Sequence, residues 1–164
     1  MYREIRDFDT DWKSEAERTL AVLRQLTDAS LAQRVTADGR SLGTIAWHVT
    51  RSLRTIPSAA GLRVDAPSPD APADANAIGD AYQRAALDVG RAVREQWSTS
   101  QLGDSIVMYG RQWLKGEVLS ELILHQAHHR GQMTVLMRQA GLLVPGIYGP
   151  AREEWAAVGR PAPE

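Results

Sequence analysis

Hydrophobic residues recur along this chain at spacings of three and four, a pattern that predicts four long helices. The first lies within 9–28, where Leu20, Val22, Leu23 and Leu26 share a face behind a Ser14-x-x-Glu17 box and Thr27-Asp28 marks the end. Ser41 is placed to cap a second helix with the stripe Leu42, Ile45, Val49, Leu53 and Ile56, stopping near Pro57. A third runs from about Asn76 to Trp97, with Ile78, Tyr82, Ala85, Ala86, Val89 and Val93 inward and Gly90 as its weak point. The fourth extends from about Leu114 to Ala140, carries Val118, Leu122, Met133, Leu136 and Ala140 on one stripe, and ends at Gly141.

The intervening segments differ in character. Residues 57–75, including Ala66-Pro67-Ser68-Pro69-Asp70-Ala71-Pro72, read as an extended connector, so a long crossover joins the second and third helices. Gly103, Gly110 and the β-favouring run Ser105-Ile106-Val107-Met108-Tyr109 predict a small hairpin before the fourth helix. In the tail, Pro150 is placed to open a short helix through Trp155. Amphipathic helices of this kind are unstable alone in water, so the expected fold is all-α, a four-helix bundle forming a single domain over 1–164.

Composition narrows the function. With 19 basic and 20 acidic residues and a net charge of -1, the chain has no electrostatic excess for nucleic acid or an anionic membrane. No segment approaches the roughly 20 apolar residues of a membrane span, and Met1 to Asp9 lacks the apolar core of a secretion signal, so a cytoplasmic location is expected. No glycine-rich phosphate loop, nucleophile elbow or dinucleotide fingerprint occurs, and no bound organic cofactor is expected. The absence of cysteine removes disulfides, a thiol nucleophile and thiolate-held metals, leaving any metal to histidine and carboxylate.

The four histidines fall in two places, His48 on the second helix and His125, His128 and His129 on the fourth. Residues four apart on a helix stand about 6 Å apart along the axis on one face, so His125 and His129 can converge on one ion. His48 completes a three-histidine set if the second and fourth helices are neighbours. Three imidazoles leave a divalent ion its full charge and an open position for water or thiol. They suit zinc first, with nickel, copper or iron as alternatives. His128 is rotated about 100° from His129 and is expected to face solvent or another helix. Against this stands the plain alternative that the histidines are satisfied packing residues.

The run His125-x-x-His128-His129-Arg130-Gly131-Gln132, with His48 upstream and Tyr148-Gly149-Pro150 near the end, resembles the DinB/YfiT-like superfamily over nearly the whole chain. The resemblance implies a bundle of up-down-down-up connectivity, a homodimer, and a divalent metal held by His48, His125 and His129. It does not single out a reaction, because such proteins include small-thiol S-transferases, isomerases and amidase-like enzymes.

Around these residues, Arg130 is a candidate for holding an anionic substrate group or for pairing with Glu121, Glu153 or Glu154, the pairing being the preferred reading. Gln132 is placed to orient an imidazole, Glu121 to accept the second ring proton of His125, and Gly131 to admit a neighbouring helix. The Tyr148 hydroxyl is a candidate for the metal rim, with aromatic packing as the alternative. Trp47 is a candidate for the pocket mouth. The leading expectation is a metal-dependent enzyme that activates a low-molecular-weight thiol as its small-molecule substrate. Metal-dependent hydrolysis is the alternative, followed by a stress protein that binds metal or a small ligand without turnover, and by a metal-free helical dimer.

Overall fold

The computed structural model of the protein describes residues 1–65 and 67–163; Ala66 of the predicted connector and Glu164 at the end of the predicted domain lie outside the described residues. Four long helices form where the apolar periodicity places them: α1 (Ile5–Leu23), α2 (Leu42–Ala59), α3 (Ala75–Gln96) and α4 (Lys115–Gln139). Each of α1 and α2 packs against both α3 and α4, so the four enclose one core. The predicted stripes supply that core, with Leu42, Val49, Leu53, Ile78, Val89, Val118, Leu122, Met133 and Leu136 all buried. Three of the predicted inward positions, Leu20, Ala85 and Ala140, are only partly buried.

Caps and turn glycines set the boundaries. The Ser41 hydroxyl accepts from the Thr44 amide and opens α2, and the Asp74 carboxylate accepts from Asn76 and Ala77 to open α3. α1 begins earlier than predicted. Ser14 and Glu17 lie inside it, because Phe8 and Trp12 are buried and extend its apolar face a full turn toward the N-terminus. It also ends sooner, at Leu23, and a short 3₁₀ segment, Asp28–Ala32, follows behind a Thr27–Ser30 capping box.

Pro57 does not stop α2, which continues to Ala59; its end is set by Gly61 at φ 86°, where the Leu62 amide returns to the Pro57 carbonyl. Gly141 at φ 72° ends α4 in the same way, with the Leu142 amide on the Met137 carbonyl.

The predicted hairpin forms as β1 (Ser105–Met108) and β2 (Arg111–Leu114), antiparallel, with Ile106 opposite Trp113. Tyr109 and Gly110 make the two-residue turn with φ of 52° and 77°, the positive values that a tight hairpin of right-handed twist requires. The predicted terminal helix is a 3₁₀ segment displaced to Arg152–Val158. Among the described residues no helix is long and apolar enough to cross a membrane.

Polar bonds tie the helices in register. Trp12 of α1 donates its indole N–H to the Ala86 carbonyl of α3 at 2.9 Å, and Arg24 pairs with Asp80 of α3 at 2.7 Å. Deeper inside, Tyr82 of α3 donates to Gln126 Oε1 of α4 at 3.1 Å, and the Gln126 amide donates to Ser52 Oγ of α2 at 3.1 Å. Arg130 of α4 donates to Thr19 Oγ1 of α1 at 2.9 Å. All four helices thus contribute to a buried polar layer whose members find partners within it, which avoids the cost of stranding them.

Candidate metal centre

His48 lies on α2 one turn beyond Thr44, and the α2–α4 contact brings it against the i, i+4 pair His125 and His129. The Nε2 atom of His125 is 3.2 Å from that of His48 and 3.2 Å from that of His129. The ligating atoms of all three rings lie within 4.8 Å of one another. Three nitrogens bound tetrahedrally at about 2.0 Å from one ion stand about 3.3 Å apart, and both contacts of His125 Nε2 match that spacing.

The tautomer of His129 supports the same reading. Its Nδ1 stands 2.7 Å from Gln132 Oε1, an oxygen that only accepts, so the proton sits on Nδ1 and the Nε2 lone pair is free to ligate. Burial lowers the pKa of all three imidazoles by penalising the cation. His125 is lowered most, to about 4 from an ordinary 6.5, with the charges of its histidine neighbours adding to the effect. For His48 the charges of His129, Arg40 and Arg51 reinforce the burial effect, whereas for His129 the hydrogen bond to Gln132 opposes it. Neutral imidazole is the ligating form.

The remaining candidates are placed as follows. His128 is exposed, 4.8 Å from the His129 ring centroid to centroid, and is not part of the converging set. Glu121 is not the partner of His125, whose Nδ1 is buried without a hydrogen bond among the described residues. Gly131 admits no neighbouring helix, since open space surrounds it. Trp47 does line the cavity beside His48, together with Arg40 and Arg51.

Arg130 projects away from the histidines into the α1–α4 contact and does not pair with Glu121, Glu153 or Glu154. Its partner is Glu15, at 2.5 Å, with further donation to the Glu15 carbonyl at 3.1 Å and to the Tyr148 hydroxyl. Tyr148 in turn donates to Glu15 Oε2 at 2.8 Å. The side chain of Arg130 is 1% exposed, so this pair is a structural element of the core. Burial works against ionisation of Glu15, but hydrogen bonds from Arg130, Tyr148 and Arg18 outweigh it and hold the carboxyl below its ordinary 4.5. Glu15 is a member of this group that the sequence reading does not single out. A buried carboxylate on α1 has no local signature, and only a buried arginine elsewhere in the chain implies it.

A four-helix core with three histidines brought together from α2 and α4 is the class of protein that the geometry defines. The model of the DinB family matches residues 1–164, and the chain belongs to that family. It is 45% identical over 166 residues to the uncharacterized protein YrdA of Bacillus subtilis strain 168, covering 100% of this chain and 99% of that one. A DinB-like protein from Bacillus cereus ATCC 10987 superposes with a TM-score of 0.86 at 39% identity, covering 90% of this chain and all of the other. The DinB-like protein YjoA of Bacillus subtilis shares the fold at a TM-score of 0.66 and 16% identity, covering 87% of this chain and 98% of the other.

Proposed function

We propose that the protein is a divalent-metal-dependent enzyme in which His48, His125 and His129 hold one ion through Nε2, and that it transfers a low-molecular-weight thiol to an electrophile. The observation that carries this reading is the convergence of the three imidazoles, with His125 Nε2 3.2 Å from that of His48 and 3.2 Å from that of His129, and the Gln132 oxygen held against His129 Nδ1. Zinc suits three imidazoles best, with nickel or iron as alternatives. A bound ion supplies Lewis acidity that lowers the pKa of a thiol or water in its remaining position. The chain's own residues hold and orient: the imidazoles converge, Gln132 fixes His129, and the Glu15–Arg130–Tyr148 group locks α4 against α1.

Thiol chemistry is favoured over hydrolysis by what surrounds the centre. Among the described residues, no carboxylate lines the two cavities that contain His48, His128 and His129. A carboxylic acid that would assist the amine leaving group of an amide is supplied by neither lining, whereas a thiol with an ordinary pKa near 8.5 has only to give up its proton on binding.

The same reading treats 1–164 as one domain of up-down-down-up path. Three observations support that path. Asp9 of α1 and Arg24, just past its end, meet Arg94 and Asp80 of α3, which makes this pair antiparallel. Tyr2 and Glu15 meet Gly116 and Arg130, which makes α1 and α4 parallel. The connector of about 15 residues between α2 and α3 can span roughly 50 Å when extended, ample for returning along a helix of 18 residues, about 27 Å long.

The test is elemental analysis of protein purified without a metal-affinity step, comparing wild type with His129→Ala under identical dialysis, followed by a screen of thiols with electrophiles. Near-stoichiometric metal in the wild type, its loss in the variant, and metal-dependent thiol transfer are expected. Negligible metal in both after reconstitution overturns the centre, and metal-dependent ester or amide cleavage with no rate for any thiol overturns the transferase.

A further inference from the structure

Two cavities flank the histidine centre, one of about 480 Å³ beside His128 and His129 and one of about 430 Å³ beside His48, and Arg40 lies on the wall of both. Arg51 lines the second, one turn beyond His48 on the same face of α2. Elsewhere in the molecule some arginines, among them Arg18, Arg94 and Arg130, pair with a carboxylate, while others, among them Arg54 and Arg84, form no ion pair among the described residues. Arg40 and Arg51, both exposed, make no ion pair and no side-chain hydrogen bond among the described residues.

Acidic residues are nearby but are kept apart: Asp65, Asp70 and Asp88 line a different cavity on which Trp47 also borders. In a chain of net charge -1, the histidine face therefore presents two arginines and no opposing carboxylate.

We propose that Arg40 and Arg51 form an anion subsite beside His48, and that the small molecule handled at the histidine centre carries an oxyanion, a carboxylate or phosphate, seated on these two guanidinium groups. Planar guanidinium forks match either oxyanion with paired N–H donors, and the cavity side open to water lets the ligand enter without unfolding α2. The inference deepens the proposed function by naming the charge of the substrate, and it rests on that reading for what the substrate then undergoes. It assigns Arg40 and Arg51 to substrate binding, a role that the buried Arg130 does not fill.

The experiment titrates succinate, inorganic phosphate and neutral succinamide into the protein by calorimetry, both as purified and after metal removal, with wild type, R40Q and R51Q. Unchanged thermal midpoints and circular dichroism are expected for both variants, because the two side chains are exposed. Succinate or phosphate is expected to bind with or without metal. Each substitution is expected to weaken that binding about tenfold, the effect of losing one charge-assisted contact, while succinamide shows no dependence on either arginine.

Preference for succinate assigns a carboxylate ligand, and preference for phosphate a phosphate ligand. No binding of either anion, or binding within about twofold of wild type in both variants, overturns the subsite. Binding that needs the metal and ignores the arginines also overturns it. Metal content measured on the same samples separates the two claims: a protein that holds no metal yet binds succinate through Arg40 and Arg51 refutes the metalloenzyme and leaves the subsite standing.

Discussion

Replacing Arg130 with methionine removes a cation that is 1% exposed and that touches Glu15 twice, Thr19 and Tyr148. Methionine fills much of the same volume, so the main cost is electrostatic. The Glu15 carboxylate, 8% exposed, loses its closest partner, and removing one member of a buried pair typically costs about 3–5 kcal/mol. Arg18 at 2.6 Å and Tyr148 at 2.8 Å still bond Glu15 and moderate the loss, while the Thr19 hydroxyl and the Glu15 carbonyl each lose a donor at about 1 kcal/mol. The sum falls at about 4 kcal/mol, a large part of the roughly 5–15 kcal/mol that holds a domain together.

Urea unfolding followed by far-ultraviolet circular dichroism, with the slope of the transition compared between proteins, measures this cost. The double variant Glu15→Leu with Arg130→Met removes both charges, and it is expected to be more stable than the sum of the single losses by at least about 2 kcal/mol. An R130M protein within about 1 kcal/mol of wild type, or a double variant showing simple additivity, refutes the argument that this pair is a buried, mutually dependent unit.

Other outcomes follow from the same geometry. Because the folded Glu15 carboxyl is held below its ordinary 4.5, the unfolded chain binds more protons in that range, so Glu15 contributes stability above 4.5 that is lost as pH falls through the lowered folded value. Acid titration of the unfolding midpoint checks this, and E15Q is expected to flatten that part of the profile. Gln132→Ala removes the acceptor of the His129 Nδ1 proton at an exposed position, so metal affinity measured by chelator competition is expected to fall about 10–100-fold while the thermal midpoint of metal-free protein hardly changes. An unchanged affinity removes Gln132 from the centre. At Gly116 an added Cβ would lie 2.1 Å from the Tyr2 carbonyl oxygen, so Gly116→Ala must displace the N-terminal segment and is expected to cost about 1–3 kcal/mol in urea unfolding. A cost near zero means that Tyr2 is not held against α4.

Local periodicity is visible in a chain before it folds, and that is why four helices, the α2 cap at Ser41, a small hairpin before α4 and the shared face of His125 and His129 can be read directly. Each depends on residues within a turn or two of one another. The helix ends read less well. Pro57 looks like a stop but sits inside the last turn of α2, and the Ser14–Glu17 box looks like a start but lies within α1, because burial of Phe8 and Trp12 against the core outweighs a capping preference of about 1 kcal/mol.

What required the tertiary structure is every relation between distant segments. The approach of His48 to His125 depends on α2 packing against α4 across 77 residues of sequence, and the partner of Arg130 lies 115 residues away on α1. A periodicity specifies which face of a helix is apolar but not which helix covers it. Burial then selects the partner: once Arg130 is enclosed, only a carboxylate enclosed with it can balance its charge, and Glu15 is the one that the packing of α1 on α4 supplies.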